Sequence, residues 1–499
     1  MTTTASSSAD RIAAATANQF RLSGKPLCIA LGLFLFFLPA PLRSETSGPK
    51  LPVTHYDLRF RILLSEQTLD GEAHVTLTNS DDHMITEIPF LLYRLLDVVA
   101  IADENGRPLE FRQAVAKLTD EPSMQVNAVT VHLRSPLNAG AQTTFTVKFG
   151  GFVYGYPEVM PYVHDHVGED YTLLRPDALV YPIVSAPSFA GLIDAWGESF
   201  SYELEVDVPS GYVVASGGTP AEPHPDKGRL AFRFRSRVNT TRIDVAVAKF
   251  TVVRNERANL GVYTLPEDEK AAGRMLKAME QVIAFYTEEF GPPPGGEAYT
   301  AIEIPEGYGS QAAKFYFLQE APAFRDPTKL HEMYHEIGHS WNAKAKPEAE
   351  RTRWFDEAFA SYFEALAQRR LEGDKAFVDR MDAYRERFRK QVQENPRIAE
   401  TAIRDYGKYE LGDCSYTKGA WSLFVLNTVV GDAAFSRIIR EFLSQYASEP
   451  ADFGAFRAVA ERVSKRDLSR YFKEWIDDDQ SSKLLLGEQS AEEISSRYR

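Results

Sequence analysis

The sequence predicts an α+β multidomain chain, an N-terminal antiparallel β domain followed by a mainly helical domain. Three observations carry this expectation. From about Leu51, apolar and polar residues alternate at period two, the mark of half-buried strands. From Pro266 the apolar spacing changes to that of amphipathic helices. At 499 residues the chain is long enough for several domains with sizeable cores.

Hydrophobic content of 44% and charged content of 25% are ordinary for a globular protein. The formal net charge of -14 argues against a nucleic-acid partner, which wants a basic face. It is compatible with a substrate carrying a positive amine. There are two cysteines, Cys28 and Cys414. Cys28 falls in the N-terminal apolar stretch, and Cys414 alone forms no intramolecular disulfide. The fold therefore neither needs nor excludes an oxidising compartment.

Residues 1–44 form an N-terminal region ahead of the folded part. Arg11, Arg21 and Lys25 precede the apolar run Pro26–Leu42, and Arg43, Ser44 and Glu45 follow it. That order resembles an export signal with a long basic region. The strongest part, Cys28–Leu38, is short for a membrane span, and Pro39 and Pro41 end it. A secretory signal is expected first, an uncleaved membrane anchor second, a buried helix third. Either of the first two implies an exported protein, periplasmic or extracellular, or one anchored through residues 26–42 with its folded part outside the cytoplasm. No cysteine closes the run, so a lipid anchor is not expected.

Residues 50–255 read as the β domain. Tyr56, Leu58, Phe60 and Ile62 alternate with charged residues; so do Ala73, Val75 and Leu77, then Phe145, Val147 and Phe149. Tyr202, Leu204 and Val206 repeat the pattern, as do Leu230, Phe232 and Phe234. Turn signals separate these runs at Asn105-Gly106, Gly150-Gly151, Pro209-Ser210-Gly211 and Gly217-Gly218. A scaffold without chemistry is the expectation here.

Residues 256–480 read as the helical domain. A helix over Pro266–Phe290 stops at Gly291 and the prolines after it. A strand, Tyr299–Ile304, leads into the turn-rich loop Pro305-Glu306-Gly307-Tyr308-Gly309. A helix begins after Asp326-Pro327-Thr328, and another spans Trp354–Leu371. Further helices are predicted near 374–394, 415–429, 432–446, 452–464 and 467–477. Residues 481–499 are a polar C-terminal tail, expected to be frayed.

The chemistry concentrates between Leu330 and Leu366. His331, His335 and His339 bring three of the chain's ten histidines within nine residues. Two overlapping His-Glu-x-x-His patterns result, one starting at His331 and one at His335. On a helix, residues four apart share a face, so either pair could offer two imidazoles to one metal ion. The glutamate after the first histidine would lie within reach of a water activated by that metal. A catalytic zinc site also needs a carboxylate and an open position. Glu357, at the start of the next helix, is the natural third ligand. Glu364 lies two turns further and is expected to point elsewhere.

The run HEIGHSW followed by WFDEAFASYFEAL resembles the M1 family of zinc aminopeptidases, in the gluzincin group. The family's tryptophan two residues after the second histidine corresponds to Trp341, which selects the second register. The resemblance implies one Zn2+ per chain held by His335, His339 and Glu357, with Glu336 as general base. It leaves His331 as a supporting residue. Ser415-Tyr416-Thr417-Lys418-Gly419 looks like the family's Tyr-x-Lys-Gly segment, which implies that Tyr416 stabilises the oxyanion. The family's Gly-x-Met-Glu-Asn motif binds the substrate amine. Pro305-Glu306-Gly307-Tyr308-Gly309 stands in its place with only the Glu and the last Gly in common, so Glu306 is the implied amine anchor and Glu320 the second candidate.

Seventeen residues separate His339 from Glu357, one fewer than the family's usual spacing, and the loop Asn342–Arg353 absorbs the difference. Its Asn342-Ala343-Lys344 is closer to the related M61 glycyl aminopeptidases. Val53-Thr54-His55-Tyr56-Asp57-Leu58 and Leu69-Asp70-Gly71-Glu72 look instead like the opening strands of the M1 N-terminal domain. The resemblance covers about residues 50–478 and lacks the long C-terminal helical domain of many members. It implies a thermolysin-like zinc peptidase domain and a metallo-aminopeptidase acting on peptides with a free N-terminus. The alternatives are a catalytically inactive peptide-binding protein, an endopeptidase, or a non-peptide hydrolase using the same site.

Overall fold

A computed structural model describes residues 49–293, 299–447 and 449–499. The expectations for residues 1–44, including the apolar run and Cys28, lie outside the described residues. Among the described residues, no helix is long and apolar enough to cross a membrane.

The period-two runs form the predicted strands. Val53–Leu63 pairs antiparallel with Thr68–Thr78 and parallel with Ser201–Pro209. Gln142–Phe152 and Leu96–Asp103 extend the sheet on one side, and Arg229–Arg235 on the other. Inward residues such as Leu58, Ile62, Val75 and Val147 are fully buried. They enter one apolar cluster running from Leu51 to Val247. Alternation is therefore readable because one face of this sheet meets a core and the other meets water.

Gly150-Gly151, expected as a turn, lies inside the strand Gln142–Phe152. Gly151 has φ 146°, and a Cβ there would sit 2.1 Å from the Leu95 carbonyl oxygen. The glycine marks a close approach of two backbones rather than a chain reversal.

The last strand before residue 255 does not join the first sheet. Thr251–Asn255 pairs antiparallel with Leu260–Thr264. That strand runs parallel to Tyr299–Ile304, which runs parallel to Tyr316–Glu320, and Gln311–Ala313 completes the sheet antiparallel to the last. So the hairpin assigns Thr251–Asn255 to the second domain's mixed sheet. The helices of that domain enclose a second apolar cluster spanning Leu260 to Tyr498. The helix Glu269–Phe290 ends at Gly291, and Asp374–Glu394 forms as predicted.

The C-terminal segment is a correction. Gln480–Leu486 and Ala491–Ser496 are helical, and Leu485 and Ile494 are fully buried. The Arg385 guanidinium donates to the carbonyls of Leu484, Leu485, Gly487 and Gln489 at 2.7–3.1 Å. A helix end leaves such carbonyls without intrahelical partners. Arg385 satisfies them from a distant helix, a contact that local polarity does not reveal. Cys414 is buried and unpaired, and burial pushes its thiol up to about 12.

Candidate metal centre

The helix Leu330–Gly338 is entered through a single turn, Pro327–Lys329, at which the Asp326 carboxylate accepts from the Thr328 amide at 2.9 Å. Met333, Tyr334 and Ile337 bury its inner face. Gly338 permits a close helix pair: a Cβ there would lie 3.3 Å from the Ala360 Cα. Beyond the helix, His339–Trp341 forms a tighter turn. The fully buried Trp341 donates its indole N–H to the Gly291 carbonyl at 2.8 Å. This packing fixes the direction in which His335 and His339 project.

The second element opens with Arg353 at φ 57°, then a π-helical turn over Trp354–Ala358, then the helix Phe359–Glu372. Widened turns of this kind recur at functional sites. Here two consecutive carboxylates, Asp356 and Glu357, both reach imidazoles. Glu357 Oε2 lies 3.1 Å from His335 Nε2 and 3.7 Å from His339 Nε2. Ligand atoms of His335, His339 and Glu357 all fall within 4.8 Å of one another.

The outer ring nitrogens are also engaged. His339 Nδ1 lies 2.6 Å from Asp356 Oδ1, which accepts in addition from Asn342 Nδ2 at 2.9 Å. His335 Nδ1 lies 3.4 Å from Glu364 Oε2. Each imidazole thus has a carboxylate behind it, and its Nε2 faces the shared centre. Such outer partners set the tautomer and orientation of metal-binding histidines.

Burial alone would lower the His335 pKa, but hydrogen bonds to Glu357 and Glu364 hold it well above the ordinary range. His339 is raised in the same way by Asp356 and Glu357 against burial. Burial would raise Glu357, but the Arg353 guanidinium and the two histidines hold it well below the carboxylate range. The carboxylates around the two imidazoles therefore stabilise positive charge on or between them. Two neutral imidazoles and one carboxylate are the donor set of catalytic zinc, gained in exchange for the ring protons. The residues fit the metal.

Glu336 is half-buried on the same helix, and its carboxylate makes no hydrogen bond among the described residues. Burial pushes its pKa up, as suits a base working near neutral pH. Tyr416 ends the turn Gly412–Tyr416, and the neighbouring Ser415 hydroxyl donates to the Thr352 carbonyl at 2.7 Å. Its ring stacks on His335 with centroids 5.5 Å apart. Burial and the Glu357 carboxylate keep the phenol protonated, and so able to donate.

Glu306 is exposed, and among the described residues no hydrogen bond or ion pair joins it to the His-His-Glu group. Glu320 Oε1 accepts from the amides of Gly307 and Gly309 at 3.0 and 2.6 Å, so it holds the Glu306 loop in shape. His331 Nδ1 lies 3.0 Å from Glu364 Oε1, in the supporting position expected of it.

Glu364 does not point elsewhere as expected. It is buried behind His335, with Tyr384 donating to it at 2.8 Å and Arg380 3.2 Å away. Its seven-residue distance from Glu357 puts it two turns on along a helix that crosses behind the motif helix. The signal available in sequence was a lone glutamate within an apolar helical face. Glu364→Gln is expected to weaken zinc binding by about 10–100-fold. Competition with a chelating dye measures this, and unchanged affinity would remove Glu364 from the metal's support.

Residues 325–475 match the model of the peptidase family M1 domain. The chain is 22% identical over 298 residues to a leucyl aminopeptidase of Saccharolobus solfataricus, covering 55% of this chain and 38% of that protein. It is 21% identical over 450 residues to the glutamyl aminopeptidase of Homo sapiens, covering 84% and 46%. The chain thus spans less than half the length of these curated relatives. Its fold is that of an M1 zinc metallopeptidase from Deinococcus radiodurans, with a TM-score of 0.61 at 18% identity over 88% of this chain and 95% of that one. A further structure of that metallopeptidase carries a Tyr-Ser-Ala substrate.

Proposed function

We propose that this chain, whose residues 325–475 match the model of the peptidase family M1 domain, is a zinc-dependent metallopeptidase that removes residues from the free amino end of peptides. One observation carries this reading. His335 Nε2, His339 Nε2 and Glu357 Oε2 converge on one point, with Glu336 on the turn of helix between the two histidines.

His335, His339 and Glu357 would hold the zinc. When bound, the metal supplies Lewis-acid polarisation of the scissile carbonyl and a water acidified toward neutral pH. Glu336 takes the proton from the attacking water and returns it to the leaving amine. The Tyr416 phenol donates a hydrogen bond to the oxyanion of the tetrahedral intermediate. Glu306 pairs with the substrate's ammonium group, which makes the cut an exopeptidase cut.

A second reading, endopeptidase activity, is favoured by the state of Glu320. Its carboxylate is already taken by two loop amides, so the amine anchor rests on Glu306 alone. A peptide with a free amine and its N-acetylated twin separate the two. The zinc-loaded protein is expected to cleave the first at least 10²-fold faster, because an unpaired anchor costs a transition state dearly. Equal cleavage of both would establish the endopeptidase and remove the role of Glu306. Binding without turnover of either, with zinc present, would sink both readings.

A further inference from the structure

Two guanidinium groups rest on the Tyr416 ring. The Cζ of Arg353 and that of Arg387 each lie 5.5 Å from its centroid. They differ in what else they touch. Arg353 is committed on both sides: it donates to Glu357 Oε1, and its other nitrogen lies 3.3 Å from Asp413 Oδ1. Arg387 projects from the helix Asp374–Glu394 and is exposed. Among the described residues it makes no ion pair and no hydrogen bond. Asp413 feels both cations, but its ion pair is with Arg353.

An arginine held only by a ring face keeps its whole fork of N–H donors open. That fork matches a carboxylate, which it binds in bidentate fashion. The place also matters. Arg387 and His335 share Tyr416 as a neighbour, the guanidinium and the imidazole each 5.5 Å from the centroid of its ring. An extended peptide advances about 3.5 Å per residue. Arg387 Cζ is then no more than about 11 Å from the His335 ring, a gap that one or two extended residues and the side chain or terminus bearing the carboxylate cover.

We propose that Arg387 binds a carboxylate of the substrate next to the scissile bond, so that the site takes peptides carrying a negative group within one or two residues of the cut. This rests on the peptidase reading above and narrows its substrate class. The carboxylate has two possible sources, the C-terminus of a di- or tripeptide or an acidic side chain. Both use the same recognition chemistry.

The test uses the zinc-loaded full chain and three tripeptides: an all-alanine free acid, its C-terminal amide, and an amide with aspartate in the second position. The wild type is expected to favour one or both carboxylate peptides over the plain amide by roughly 10-fold in kcat/KM, carried by KM. A preference for the free acid alone identifies the C-terminus; a preference for the aspartate peptide alone identifies the side chain. Arg387→Ala should abolish the preference, and Arg387→Lys should restore part of it. Equal use of all three peptides by the wild type overturns the proposal. So does an Arg387→Ala protein whose kcat falls alike on all three, which would place Arg387 as a support for Tyr416. Turnover of none of them overturns the peptidase reading itself, a result distinct from loss of preference.

Discussion

Glu336→Gln is expected to bind zinc as tightly as the wild type and to lose peptide turnover by about 10²–10⁴-fold, the usual contribution of a positioned general base. The substitution keeps the shape and the burial of the side chain. It removes the ability to take a proton from the attacking water and to return it to the leaving amine. The metal should stay because the three ligand residues and their outer carboxylates are untouched: Asp356 behind His339 and Glu364 behind His335. Glu336 makes no hydrogen bond among the described residues, so no structural tie is cut. Zinc content by metal analysis and kcat by single-turnover kinetics give the two readouts. Full activity with bound zinc would refute the base assignment, and loss of zinc would mean that Glu336 supports the site rather than reacting in it.

Arg175→Met is expected to destabilise the protein by about 3–5 kcal/mol, the usual cost of leaving a buried charge without its partner. Arg175 and Asp165 have side-chain exposures of 0% and 0%, with N–O distances down to 2.6 Å. The same guanidinium donates to the carbonyls of Tyr162 and Tyr308 and to Gln311 Oε1 at 2.8–3.1 Å. It thus joins the β domain to the loop that carries Glu306 and to the edge strand Gln311–Ala313. Removing it orphans the Asp165 carboxylate and takes a donor from the Tyr308 carbonyl, while the Tyr162 carbonyl and Gln311 Oε1 keep the His164 amide and Arg242 as donors. A shift of this size corresponds to a fall in the thermal midpoint on the order of 10 °C for a domain of this size. Arg175→Met with Asp165→Asn should recover part of the loss, since a neutral amide costs less to bury than a lone charge. An unchanged midpoint in the single variant would mean that water reaches Asp165 and that the two domains are tied elsewhere. A raised KM alongside the loss of stability is expected, because the same bonds hold the Glu306 loop.

Much of the candidate site is legible in the sequence. His335 and His339 share a helix face because they are four residues apart, and Trp341 selects between the two registers. Glu357 was readable because it follows soon after and opens the next helix. The centre those three residues form agrees with that reading. The strands from Val53 to Arg235 were readable because their sheet has one wet face. The Gly150-Gly151 pair was misread because glycine serves turns and close backbone approaches alike, and only the neighbouring Leu95 carbonyl distinguishes them. The C-terminal helices were misread because their polarity is offset by Arg385 from a helix about a hundred residues earlier.

The sequence by itself singled out the His335, His339 and Glu357 group, the Glu336 beside it, and the order of a β domain before a helical one. These depend on short-range spacing, which helix and strand periodicity translate directly into shared faces. Only the tertiary structure decided what stands behind and around that centre: Glu364 and Asp356 at the outer ring nitrogens, Arg353 on Glu357, Arg387 left open beside Tyr416, and Arg175 joining the domains. Each of those contacts is made by side chains whose direction is set by packing between elements or by a widened helical turn. No local pattern along the chain records that direction.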